Sequence, residues 1–170
     1  MIEAQAAKRP ILEKVCADLP DVTYSSAGLG ATTGEAVNFH EMETGSSFHP
    51  EQSNAPRTTK KMSAETLSDI VKPFPGDNIF LKIDVQGAQL QILAGGSDVL
   101  DRCGVVQLEV EMLSYNAGAP TMLRVPSYMD NCDFIPSEIS GESRPNGHLV
   151  QIDMLFTRRN SVLRLNFINF

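Results

Sequence analysis

The sequence predicts an α/β domain: a mostly parallel sheet covered on both faces, with an antiparallel hairpin at its C-terminal edge. Three observations carry that expectation. Strand-like and helix-like segments alternate along the chain, the pattern of parallel strands joined by helical crossovers. Residues 79–85 (IFLKIDV) form a nearly continuous apolar run, as in a strand buried on both faces. The last two strand-like segments are separated only by a Ser/Gly/Pro/Asn-rich turn at 140–147, too short for a crossover helix.

The elements follow in order. A minimal strand end at Met1 and Ile2 precedes a helix over 3–19. There Ile11, Leu12, Val15, Cys16 and Leu19 recur at helical spacing, and Pro10 is tolerable only in the first turn. Pro20 and Asp21 break the helix, and residues 21–27 (DVTYSSA) suit a short strand. Gly28, Gly30 and Gly34 read as turns, and 36–40 as a strand with Val37 and Phe39 on one face. The stretch 43–57 is a long polar loop of the kind that serves as a functional lid or stays unstructured. A short strand at 58–62 leads to a helix with Ser63 as N-cap, Glu65 in its first turn, and Leu67, Ile70 and Val71 as its apolar face. After the 79–85 strand, a helix carrying Leu90, Ile92 and Leu93 closes at Gly95 and Gly96. Residues 105–112 alternate Val106, Leu108, Val110 and Met112 against Gln107, Glu109 and Glu111. A helix over 120–131 must kink or split at Pro126, and strands at 134–139 and 149–157 complete the chain. There is no internal repeat and no second domain.

Composition bounds the function. With 170 residues, 42% of them hydrophobic, the chain is long enough for one real core. Its 14 Lys+Arg against 21 Asp+Glu give a net charge of -7, which disfavours nucleic acid and anionic lipid as partners. No run approaches the ~20 apolar residues of a membrane span, and the first twenty residues lack a secretory pattern. Cys16, Cys103 and Cys132 are few, scattered and odd in number, which points to reduced thiols and a cytoplasmic protein.

Ligands of open α/β sheets bind outside the carboxyl ends of the strands, so polar residues there are the candidates. Asp84 is an acid at the end of an apolar strand, just before a glycine turn; it reads as a site residue, as the N-cap of the following helix, or as both. Glu109 and Glu111 end the next strand on one face, as site residues or as a solvated strand end. Glu3 ends the first strand fragment, where an acid can accept hydrogen bonds from a ribose diol or simply sit at a helix N-terminus. His49, in the polar loop, is a possible substrate contact. Gly28, Gly30 and Gly34 have GxGxxxG spacing with no helix behind them, so they form a turn rather than a phosphate loop. His40, His49 and His148 show no metal-ligand spacing, no Ser sits in a G-x-S-x-G elbow, and Arg158 with Arg159 reads as a solvated terminus.

Residues 80–96 (FLKIDVQGAQLQILAGG) resemble the signature of the FkbM-type methyltransferases, and residues 105–120 (VVQLEVEMLSYNAGAP) and 143–159 (SRPNGHLVQIDMLFTRR) are similar to its next strand and final hairpin. IEAQ at 2–5, the GLG turn at 28–30, Gly45, Ser46 and Ser47, and ETLSDIV at 65–71 fit its more variable parts. The resemblance covers nearly all of residues 1–159, a partial methyltransferase domain, and leaves a tail at 160–170. It implies a Rossmann-like class I fold, S-adenosylmethionine as cofactor, and methylation of a hydroxyl on a sugar, lipid or secondary metabolite. The implied partner is thus a small-molecule or glycan acceptor, and a homo-oligomer is compatible with the class. By resemblance Glu3 holds the ribose hydroxyls, Asp84 lies beside the methionine end and the reacting centre, and Glu109 is the acid after the following strand. Asp84, Glu109 or His49 would take the hydroxyl proton. Gln89 stands where the family commonly has an acid. The resemblance also implies a first strand and glycine-rich loop ahead of Glu3, between the strands ending near Glu3 and Val85, that these 170 residues lack. The contrasting expectation is a non-catalytic, degenerate or split module that binds a partner.

Overall fold

The computed structural model describes residues 1–42, 45–52, 56–113 and 116–165. Strand β1 (Ile2–Glu3) runs through a 3-10 turn into helix α1 (Arg9–Asp18). Pro10 lies in the first turn of α1, where its missing N–H costs nothing. The apolar side of α1 is only partly covered: Leu12, Val15 and Cys16 are half-buried, none of its residues is fully buried, and Ile11 is 60% exposed. Strand β2 (Ser25–Ser26) pairs with β1 in parallel, a much shorter strand than residues 21–27 suggested.

Strands β3 (Gly28–Leu29), β4 (Ala36–Glu41) and β5 (Thr58–Glu65) form a second small sheet in the order β3-β5-β4, β3 parallel to β5 and β4 antiparallel to it. The expected turn at Gly28 is therefore a strand, paired with Ala64, because the chain reverses later, at the positive-φ Gly34. Ser63 and Glu65 stay in β5. Helix α2 (Leu67–Val71) is capped instead by Thr66, whose Oγ1 accepts from the Asp69 N–H at 3.2 Å, and Asp69 is the acid of its first turn. The expected lid at 43–57 is described only at 45–52 and from 56; residues 43, 44 and 53–55 lie outside the described residues.

Strand β6 (Ile79–Ile83) is followed by helices α3 (Gln89–Ala94) and α4 (Ser97–Asp101), then strand β7 (Cys103–Glu111), helix α5 (Arg124–Asn131), strand β8 (Phe134–Ser143) and strand β9 (Gln151–Arg158). Pro126 is the third residue of α5, inside its first turn, so it neither kinks nor splits the helix. The third sheet runs β6-β7-β9-β8, with β6 parallel to β7, β7 antiparallel to β9, and β8 antiparallel to β9. The antiparallel edge hairpin of the sequence reading is present. A mostly parallel sheet is not: the strands form mixed sheets, because the chain returns from β8 to β9 by a tight turn and inserts β9 next to β7.

Helices cover one face of this sheet. Val106, Leu108, Val110 and Phe156, all fully buried, pack against Leu93, Val125 and Met129 from α3 and α5, with Val99 of α4 in the same cluster. The expected double burial of the 79–85 strand fails. Phe80 is 58% exposed and Lys82 exposed, on the face of β6 opposite the buried Ile83. After β9 the chain turns into a short helix, α6 (Val162–Leu165), and residues 166–170 of the expected tail lie outside the described residues.

Arg158 is not a solvated terminus. Its guanidinium stacks on Phe134, 4.8 Å from the ring centre, and donates to the carbonyls of Leu100 (2.9 Å), Asp101 (2.6 Å) and Cys103 (3.0 Å). It thereby closes the exposed carbonyl end of α4 with a positive charge, the favourable sign there. Arg159, by contrast, forms exposed ion pairs with Asp130 and Asp133. Because several charge-assisted bonds depend on Arg158, Arg158→Ala is expected to lower the unfolding free energy by about 2 kcal/mol. Urea denaturation checks this; an unchanged midpoint would remove Arg158 from the fold's supports, and Arg159→Ala should leave the midpoint nearly in place.

Candidate active site

β6 and β7 run in parallel, so their carboxyl ends, Ile83 and Glu111, open on the same side of the sheet. The chain leaves β6 through Asp84, turns at Gly87 and enters α3. Gly87 has φ +96, and a Cβ on it would lie 2.6 Å from the Ala119 side chain, so both the turn and the close approach of the 116–119 segment require glycine. The N-cap of α3 is Ala88, without a side-chain cap bond. Asp84 is therefore not a helix cap. Its carboxylate pairs with Lys82, two residues back on the same face, at 2.5 Å.

Glu109 is 5% exposed and Glu111 2% exposed, so the strand end is covered rather than solvated. Glu109 meets three glutamines. Gln86 donates to its Oε1 at 2.7 Å, Gln151 to its Oε2 at 2.8 Å, and Gln89 to its backbone carbonyl at 2.7 Å. Asp84 follows Ile83, whose partner across the β6–β7 pair is Leu108, so its carboxyl stands beside that of Glu109 and acts on it. Burial, then the Asp84 charge and hydrogen bond, then the charges of Asp153 and Glu111 push the Glu109 carboxyl up to about 8. Burial would raise Asp84 as well, but the hydrogen bonds from Lys82 and Glu109 and the Lys82 charge outweigh it and hold Asp84 below its usual value. The pair is thus split into an ionised Asp84 and a protonated Glu109 near neutrality. Glu111 is raised by burial, against a hydrogen bond from Asn116 Nδ2 at 2.7 Å.

Glu3, at the end of β1, faces Asp84 across a cavity of about 220 Å³. Gln86 and Ser47 line the same space, and Phe39, Phe48, Ala88 and Ile92 give it an apolar wall. Glu3 Oε1 accepts from the Gln5 N–H at 2.7 Å. The wall also needs Gly28, where a Cβ would lie 2.8 Å from Met62 and 2.9 Å from Phe48. The segment 45–50 straps over this cavity: Ser47 Oγ donates to the Gln86 carbonyl and accepts from the His49 N–H, while the Pro50 carbonyl accepts from the Ala117 N–H at 2.9 Å.

The structure thus brings Glu3 and Asp84 to one cavity and sets Glu109 behind Asp84. His49 stands apart from these. It lines an adjacent cleft of about 420 Å³ with His40, Asn38 and Gln91, its Nδ1 lying 3.1 Å from the Ala117 carbonyl, and only Phe48 walls both spaces. Sequence reasoning missed Lys82, Gln86, Gln151 and Ser47. Lys82 and Gln86 flank Asp84; polarity inside an apolar strand was the available signal for Lys82 alone, and nothing in the sequence links Gln151 to Glu109. No group of three or more His, Cys, Asp or Glu residues able to hold a metal ion occurs among the described residues.

A family model for the methyltransferase FkbM domain matches residues 1–136. The chain belongs to the FkbM methyltransferase family. The matched region takes in β1 to β7, hence Glu3, His49, Asp84 and Glu109, and stops within β8, before the second strand of the hairpin. Searches of the curated proteins and of the solved structures returned no significant match. No helix among the described residues is long and apolar enough to cross a membrane.

The raised Glu109 carboxyl has a consequence for this methyltransferase domain. In the native state the group keeps its proton up to about 8, whereas the unfolded chain releases it near the ordinary 4.5. Between those values the native state binds more protons, so this group's contribution makes stability fall as pH rises, levelling off above the folded value. Thermal unfolding from pH 5 to pH 9 should show that slope, and Glu109→Gln should flatten it. A wild-type curve already flat in this window would contradict the assignment.

Proposed function

We propose that this domain binds S-adenosylmethionine and transfers its methyl group to a hydroxyl of a sugar, lipid or other small metabolite. One observation carries the reading: two acids from the carboxyl ends of neighbouring parallel strand systems, Glu3 and Asp84, face one cavity. Within a Rossmann-like reading of the fold, that is the place where ligands of open α/β sheets bind.

The residues suit the cofactor. Glu3 can accept hydrogen bonds from a ribose diol, and the Phe39, Phe48 and Ile92 wall, opened by the bare Cα of Gly28, suits a purine. Ionised Asp84 suits a cationic sulfonium and amino group. Bound S-adenosylmethionine would supply an electrophilic methyl group. The protein's part is then positioning and proton removal: the acceptor hydroxyl's proton passes to a carboxylate as its oxygen takes the methyl, and Asp84, half exposed, can return that proton to water. His49 lies outside this cavity, and its proposed role is an acceptor contact in the neighbouring cleft.

Two features favour the second reading, a degenerate or split module that another segment completes. The Glu3–Asp84 cavity is about 220 Å³, below the roughly 300 Å³ at which small-molecule sites begin. In addition, among the described residues β1 pairs only with β2 and β6 only with β7, and an apolar groove of about 390 Å³ lies between them, lined by Ile2, Phe74 and Ile79. Ile2 borders both this groove and the cavity. A strand entering there, followed by a glycine-rich loop over the cavity, would pair both edges and enclose the cofactor.

The 170-residue chain alone is therefore expected to bind S-adenosylmethionine weakly. Calorimetry on that chain checks it, and micromolar affinity would refute the need for a completing strand. In-frame coding sequence upstream of Met1 for a strand and a Gly-x-Gly turn would favour an active enzyme; a start codon with no such sequence would favour the partner-binding module. With the strand supplied, a methyl-donor assay against pooled glycans and small hydroxylated metabolites should show turnover, and Asp84→Ala should lower it at least about 100-fold. Unchanged turnover would take Asp84 out of the site.

A further inference from the structure

Glu109 is gripped from three directions. Gln86 arrives from the turn after β6, Gln151 from the first residue of β9, and Asp84, next after Ile83 in the register opposite Leu108, stands beside it across the β6–β7 pair. The two glutamines take different oxygens of the Glu109 carboxyl, at 2.7 Å and 2.8 Å. An amide NH2 can only donate, so each carboxyl oxygen already accepts one hydrogen bond. The bond to Asp84 is different in kind. Two carboxyl groups in contact need a proton between them, and without it they repel at short range. An oxygen of a carboxylic acid can accept from a glutamine and donate its own proton at once, so the Glu109 arrangement is complete only with that proton present. Burial decides which partner keeps it: Glu109 is 5% exposed, while the Asp84 side chain is 53% exposed and also faces Lys82.

We propose that Gln86 and Gln151 are positioning residues that hold Glu109 and Asp84 as a one-proton pair, with Asp84 as the ionised member that receives the acceptor's proton. This rests on the methyl-transfer reading of the Glu3–Asp84 cavity. In the step, the acceptor's O–H bond breaks toward Asp84 while its oxygen forms the new bond to the methyl carbon. The carbon–sulfur bond of S-adenosylmethionine breaks with its electron pair left on sulfur, so the sulfonium charge is lost as the proton is gained by the pair. The Glu109–Asp84 hydrogen bond keeps Asp84 from being protonated beforehand. Gln86 and Gln151 matter because a Glu109 free to turn would leave Asp84 paired with Lys82 alone. The charged or titratable groups acting on Glu109 from the surrounding elements are Asp84 and Lys82 on the β6 side, Glu111 on β7 and Asp153 on β9. Only Lys82 among them is cationic, and its own closest partner is Asp84.

The test is carboxyl carbon-13 NMR of the full 170-residue chain, labelled at glutamate and aspartate and titrated without any ligand. Glu109 is expected to titrate near 8. Asp84→Asn removes the neighbouring charge and should move that midpoint down by about one unit or more, as strongly interacting sites require. Gln151→Leu removes a donor to the ionised form and should move it up. A purely structural Gln151 would alter the unfolding midpoint and leave the Glu109 titration in place, which would overturn the positioning role. If Gln151→Leu does not fold, Gln86→Leu carries the same expectation from the other oxygen. A Glu109 that titrates in the ordinary carboxylate range, or that ignores Asp84→Asn, overturns the pair. Donor binding is read separately by calorimetry with S-adenosylmethionine on the strand-completed protein: an intact pair with no donor binding there refutes the methyl-transfer reading and with it the catalytic use of the pair.

Discussion

The covered carboxyl end of β7 is the constraint on which the site depends. Val106, Leu108 and Val110 turn one face of this strand into the centre of the core, while β6 and β9 flank it on both edges. Its other face would normally offer Glu109 and Glu111 to water. Here the 84–88 turn and the 116–119 segment close over them, and both are buried. A buried carboxyl without partners costs several kcal/mol, so it must find donors or keep its proton. Glu111 finds Asn116, and Glu109 finds two glutamine side chains and a neighbouring acid. The site is assembled from what this one strand end needs.

That dependence explains why the parts come from so many places in the chain. Gln151 can reach Glu109 because β9 lies antiparallel beside β7, an arrangement set by the tight turn after β8. Asp84 can reach it because β6 lies parallel on the other side. Glu3 belongs to a separate two-stranded sheet and meets Asp84 only across the cavity. The ion pair with Lys82 holds Asp84 on one wall, while among the described residues β1 and β6 each keep an edge unpaired beside the apolar groove. The proposed further strand and the proposed proton pair therefore concern two sides of the same candidate site.

Much of this was legible in the sequence, and what was not has physical reasons. The apolar run at 79–83, the alternation in β7 and β9, and the glycines after α3 announced their elements, because burial and turn geometry write directly into residue type. Double burial of β6 was misread. Leu81 and Ile83 face the core, but Phe80 faces solvent, and hydrophobicity alone cannot say whether a helix covers it. Ser63 looked like a helix cap because β5 runs on past Met62, held by pairing to β4 that local sequence does not encode. Asp84 was visible as an acid out of place, whereas the burial of Glu109 and its bond to Gln151 depend on strand order, a tertiary fact. Arg158 looked like a solvated end for the same reason: its partners are backbone carbonyls of α4 and of the first residue of β7.

The most direct measurement of the central claim is chemical-shift mapping of the 170-residue chain with S-adenosylhomocysteine at concentrations high enough to saturate a weak site. If the Glu3–Asp84 cavity is the donor site, the amides of Glu3, Gly28, Asp84 and Gln86 should move together along one binding curve. Saturation with those four unmoved, or with shifts clustered elsewhere on the chain, would contradict it.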